Sequence, residues 1–117
     1  MRFKIAFVAI AALLLAACQT PQEAVFAARG THNELLRLSV AYAERPSCAQ
    51  PMPSLVCARV DIVRQIDSAD DIAAAALDRA EVLVRTPGFG DNVYETAAQT
   101  ATAAVAAFSA IMDMINR

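Results

Sequence analysis

Two stretches of this chain repeat their apolar residues every seven positions, and that repeat restricts the fold more than any other feature of the sequence. Ile62, Ile66, Ala69, Ala73, Ala76, Ala80 and Leu83 step by +4 and +3 in turn over three heptads. Val93, Ala97, Thr100, Ala104, Ala107, Ile111 and Met114 follow the same rule. A 3.5-residue period lays one stripe along one side of an α-helix, and the stripe leaves water only by packing against another helix. Arg64, Asp67, Asp71, Asp78 and Arg85 fall on the far side of the earlier stretch, which therefore has a wet face. Strand formers are sparse and never alternate cleanly with polar residues. With alanine abundant and only three glycines among 117 residues, the chain reads as all-α.

A further helix precedes these two. Thr20 can cap it, Pro21 suits its first position and Glu23 completes a capping box. It should end near Glu44 or Arg45, where Pro46 stops it. Val25, Ala28, Leu35, Leu36, Leu38, Ser39, Val40 and Tyr42 share a wide stripe that includes His32, with Glu23, Glu34 and Arg37 opposite. A Pro-rich loop over 46–53 follows. Ser54 can then cap the second helix, with Cys57 in its first turn. Ser68-Ala69-Asp70-Asp71 could itself be a capping box, although the seam passes through it without a change of phase. The turn at 86–91 (Thr-Pro-Gly-Phe-Gly-Asp) is the clearest in the chain, and Asn92 with Glu95 is a capping pattern for the third helix. The expectation is an antiparallel three-helix bundle, up-down-up, with helices at about 21–45, 54–85 and 92–116 and one disulfide-closed loop.

The N-terminal segment points elsewhere. Arg2 and Lys4 precede an unbroken apolar run over residues 5–17, the length of a signal-peptide core and short for a bilayer span. The run ends Leu15-Ala16-Ala17-Cys18 and switches at once to Gln19, Thr20 and Pro21. This tetrapeptide resembles the lipobox of bacterial lipoproteins. The resemblance implies that residues 1–17 are removed by cleavage between Ala17 and Cys18, and that Cys18 carries a diacylglyceryl thioether. It also implies that 18–117 is the mature domain, with the new amine open to acylation. An ordinary signal peptide or N-terminal anchor with an incidental cysteine is the competing reading. Two or three acyl chains anchor stably, at about 0.8 kcal/mol per buried methylene. Within the lipobox family, a residue other than Asp after the cysteine implies sorting to the outer membrane, so Gln19 favours an outer-membrane anchor facing the periplasm. In whole-chain terms the sequence looks like short Ala-rich lipoproteins of unknown function.

Export makes a Cys48–Cys57 disulfide the default for the remaining cysteines. A metal site would want further Cys or His ligands, and His32 is the only histidine. Without Arg2 and Lys4, eight arginines face twelve acidic residues, a formal charge of −4. That balance lacks the clustered basic footprint of a nucleic-acid partner and disfavours adhesion to anionic lipid.

No constellation for catalysis or a cofactor is legible. His32 has only Ser39 nearby on its stripe, and seven residues of helical rise separate them by about 10 Å. Asp67, Asp70 and Asp71 could approach a divalent cation, but no calcium-type loop accompanies them and two of the three point outward. Gly-rich phosphate loops, zinc motifs and nucleophile elbows are missing from the sequence. The expectation is a non-enzymatic, membrane-anchored interaction or structural module of the cell envelope. A phage-type lysis lipoprotein, like the outer-membrane spanins, is the alternative, although those are typically Pro-rich and extended.

Residues 96–112 carry no charge at all. A second membrane span is one reading, interrupted by Thr96, Gln99, Thr100, Thr102 and Ser109. The preferred reading is that the third helix contacts an envelope protein or a second copy through the small outer residues Ala98, Thr102, Ala106 and Ser109. Alanine filling surface positions by helix propensity is the bland alternative.

Overall fold

The computed structural model describes residues 20–49 and 57–115, which form three α-helices: α1 (Pro21–Ala43), α2 (Val60–Arg85) and α3 (Asp91–Ile115). Among the described residues the only β-type pairing is an isolated parallel bridge between Ser47 and Ala58. The leader over 1–17, the cleavage pair Ala17 and Cys18, the Ser54 cap and Asn116 lie outside the described residues.

The start of α1 is built as its sequence suggests. Thr20 accepts a hydrogen bond from the Glu23 amide, and the Glu23 carboxylate accepts one from the Thr20 amide, each at 3.3 Å. Pro21, which has no N–H to satisfy, occupies the first turn. At the far end Glu44 closes the helix two residues before Pro46, and its amide donates to the Val40 carbonyl.

Contacts between side chains set the order of the helices. Arg29 on α1 meets Asp78 and Glu81 on α2, His32 meets Asp70, and the Tyr42 hydroxyl accepts from the Arg59 amide just before α2. Numbers rise along α1 as they fall along α2, so the two are antiparallel. His32 stands edge-on to Phe108, and Ser39 lies beside Met112, so numbers rise together on α1 and α3. This register is compatible with the up-down-up order.

The core is a cluster of small and medium side chains with Phe108, Leu77 and Val25 as its largest fully buried members. On α2 the expected seam holds through Ile66, Ala69, Ala73 and Ala80, flanked by half-buried Ile62 and Leu83. Leu77 joins it, because a helix packed between two neighbours buries a stripe wider than a strict two-position seam. The helix runs through Ser68 to Asp71 unbroken.

Four expectations need correction. α2 begins at Val60, and Cys57 is not helical. The Ala58 amide donates to the Pro46 carbonyl (2.8 Å), and its carbonyl accepts from Cys48 (3.1 Å). These bonds hold residue 58 extended and occupy groups a helix would use. α3 begins at Asp91, one residue before the Asn92 cap position. On α1, Leu38 and Val40 are about half exposed, and the buried line is Val25, Ala28, His32, Leu35, Ser39 and Tyr42. The fourth concerns α3. Its core stripe is Ala98, Ala101, Val105, Phe108 and Met112, one residue on from the expected seam. Ala98, read as outward-facing, is buried.

The α2–α3 turn is pinned by Tyr94, whose hydroxyl donates to the Thr86 carbonyl (2.6 Å) and accepts from the Phe89 amide (3.3 Å). Gly88 sits there at φ +100°, a conformation that costs an L side chain strain.

Candidate interaction surface

Because the core takes the Ala98–Phe108 stripe, the regular seam of α3 is displaced by about 100° toward its flank. Ala97, Ala104 and Ile111 become half-buried shoulders of the core, while Val93, Thr100, Ala107 and Met114 are exposed. α3 thus has two adjacent apolar stripes, only one of them covered. It is long and apolar enough to cross a membrane, at a mean hydropathy of 1.3, and among the described residues no other helix is. Two stripes, one for the core and one beside it, account for that apolarity.

The uncovered stripe borders a groove of about 740 Å³ between α2 and α3. Ile72, Ala76 and Leu83 form one wall, and Val93, Ala97 and Thr100 the other. Ile72 is 62% exposed and adds its side chain to the apolar lining of the groove. The Thr100 hydroxyl donates back to the Thr96 carbonyl at 2.8 Å, and Thr102 does the same to Ala98. With its hydroxyl satisfied by its own helix, Thr100 has a methyl group left to offer the groove. Arg79, on the rim, pairs with no acidic side chain among the described residues.

The expected chemistry-bearing residues do not converge. His32 is buried, and its Nε2 donates to the Asp70 carboxylate at 2.7 Å, while Nδ1 has no partner. Ser39 does not reach His32: its hydroxyl donates to the Leu35 carbonyl (2.7 Å), with the Met112 sulfur 3.6 Å away. Asp67 and Asp71 are exposed as expected, while Asp70 is drawn to His32. Among the described residues no three His, Cys, Asp or Glu side chains gather to hold a metal ion. The Cys48–Cys57 disulfide is formed, with Cα atoms 5.0 Å apart.

An ion-pair cluster joins α1 to α2. Arg29 donates from Nε to Glu81 (2.8 Å) and from Nη2 to Asp78 (2.7 Å). The hydrogen bond from Arg29 holds the Glu81 carboxyl below its ordinary range, and the Glu81 bond, with Asp78 adding to it, raises the Arg29 guanidinium. A carboxylate with a lowered folded-state pKa contributes stability that is complete above its unfolded value. That contribution disappears as pH falls through the lowered one. The raised Arg29 value matters only in strong alkali. Thermal melts on the acid side should therefore show wild type losing more stability than Glu81→Gln as pH drops from about 5 to about 3. Parallel acid limbs in the two proteins would contradict the pairing. Asp78 is placed on the wet face of α2 by its sequence, but its pairing with Arg29, and Glu81's, is not legible there, since the contacts join residues 49 and 52 positions apart.

Comparison of the chain with protein-family models, with curated proteins and with solved structures finds no match.

Proposed function

We propose that this chain is a cell-envelope lipoprotein, anchored through Cys18, whose helical domain is a non-enzymatic module that binds another protein through the α2–α3 groove. The observation that carries the binding half is the uncovered stripe of α3 facing Ile72 across the groove. Ile72, Val93 and Thr100 are exposed and lie outside the core, and an uncharged run over 96–112 would be an odd choice for a face kept in water. The anchoring half rests on Leu15-Ala16-Ala17-Cys18 and the polar switch after it. Outer-membrane placement follows from Gln19. The occupant of the groove is a second copy or an envelope protein.

The test places Glu at Ile72 and at Thr100, both exposed, so that the bundle stays folded while the groove becomes charged. Burying an unpaired carboxylate at an interface should weaken association at least about tenfold. Light scattering on the unlipidated domain reads self-association, and a photo-crosslinker at position 100 in intact cells reads an envelope partner. A wild-type domain that is monomeric at high concentration and crosslinks to nothing through position 100 would sink the binding reading. Ala98→Glu is unsuitable for this purpose, since Ala98 lies in the core.

A further inference from the structure

The covalent path from Cys18 to the bundle is short. Cys18 precedes Thr20 by two residues, so their Cα atoms are separated by at most about 7 Å. Thr20 is itself the cap of α1, locked by its reciprocal bonds with Glu23 and followed by Pro21. Gln19 alone lies between Cys18 and the capping Thr20 in the sequence. The contact of Arg29 with Asp78 and Glu81 places the start of α1 at the end of the bundle that carries the α2–α3 turn.

That end is ringed by exposed apolar side chains, one from each element. Phe26 on α1 is 83% exposed, Val82 on α2 is 65%, Phe89 in the turn is 45%, and Val93 on α3 is 38%. At 1.5 Å of rise per residue, all four lie within about 9 Å of the helix ends. That matches the depth of about 5–10 Å to which an interfacial apolar face sinks into the headgroup and acyl boundary. The opposite end also exposes aliphatic side chains, among them Val60 and Met114, but it has no exposed phenylalanine among the described residues and no anchor. α2 alone, at 26 residues, puts it about 39 Å away.

We propose that the acylated domain stands end-on against the lipid bilayer, with Phe26, Val82, Phe89 and Val93 seated in the headgroup region and the Cys48–Cys57 disulfide at the far end. This inference rests on the lipoprotein reading. It makes the membrane a second binding surface of the domain and opens the lower end of the α2–α3 groove at the lipid boundary. Ile72, about 20 Å up α2 from that end, stays above the headgroups, where a partner protein can reach the upper groove from the side.

The chain contains no tryptophan, so single tryptophans report position cleanly. Mature protein purified from membranes, with its acylation checked by intact mass, would be reconstituted into phosphatidylcholine vesicles with and without lipid brominated on its acyl chains. Phe89→Trp and Phe26→Trp report the proximal end and Val60→Trp the distal one. Brominated lipid should quench emission at positions 89 and 26 by about twofold or more and leave position 60 within about a tenth of its unquenched value. Equal quenching at 60 and 89, as for a bundle lying flat, overturns the orientation. So does acylated protein with no quenching at 89 and 26. Protein that carries no acyl mass overturns the lipoprotein reading instead, and the orientation falls with it.

Discussion

Phe108→Ala is expected to destabilise the domain by about 3–5 kcal/mol, the range for emptying a fully buried aromatic site. Phe108 is the largest of the fully buried side chains. Its ring meets the edge of His32 with centroids 5.9 Å apart, joining α3 to α1. Eight of the sixteen core residues are alanines, and an alanine has no rotamer that can swing into a vacated space. The cavity should therefore stay open, placing the cost toward the upper end of the range. Domains of this size have only about 5–15 kcal/mol in total. The loss corresponds to roughly 12–40 °C in melting temperature. Phe26→Ala serves as the control: that side chain projects into solvent in the free domain, and its removal should change stability by about 0.5 kcal/mol or less. Thermal circular-dichroism melts of both unlipidated variants decide the matter. Similar losses from the two would mean the core is not where the helices place it.

Removing the disulfide has the next largest expected effect. Cys48 and Cys57 close a ten-residue loop. The chain-entropy estimate for such a loop is about 2.5–3 kcal/mol at room temperature. Both cysteines are only half-buried, so replacing them with alanine sacrifices little packing. What is lost is the restraint on the unfolded chain and the clasp that holds Ala58 extended against Pro46 and Cys48. Urea unfolding of the Cys48→Ala/Cys57→Ala double variant should show a lower midpoint with α-helical content retained. An unchanged midpoint would show that the α1–α2 connection is held by the Tyr42–Arg59 bond and the bridge alone.

How much of this was legible in the sequence differs from helix to helix, for a physical reason. On α2 the charges Arg64, Asp67, Asp71, Asp78 and Arg85 occupy one side, so the apolar stripe can have only one phase, and the expected seam matches it except that it leaves out Leu77. On α3 no charge lies between 96 and 112, so several phases are about equally apolar and periodicity alone cannot choose. The fold chooses the phase carrying Val105, Phe108 and Met112, because larger side chains release more free energy on burial. Side-chain size was the signal that an apolar count passes over. On α1 the expected stripe already contains His32 and Ser39 but is too wide, since Leu36 is only half-buried and Leu38 and Val40 are exposed. His32 and Ser39 sit on the stripe as expected, and what the stripe leaves open is their hydrogen-bond partners. Those partners, Asp70 and the Leu35 carbonyl for His32 and Ser39 respectively, depend in the first case on the register between helices, which no local pattern encodes. The start of α2 was misplaced because Ser54 offers a local cap, whereas the bridge at Ala58 is a tertiary contact. The groove was only half legible. The uncharged run announced an unusual face on α3, but which residues faced outward had to wait for the packing.

The central proposal is that the bundle is tethered by lipid on Cys18, and the most direct test is the intact mass of the protein extracted from cell membranes with detergent. The expected species begins at Cys18 and exceeds the mass of residues 18–117 by a diacylglyceryl group, with or without a further amide-linked acyl chain. Cys18→Ser should yield only the uncleaved chain. A mature protein that begins at Cys18 or elsewhere but carries no acyl mass, or a Cys18→Ser variant that is processed normally, would contradict it.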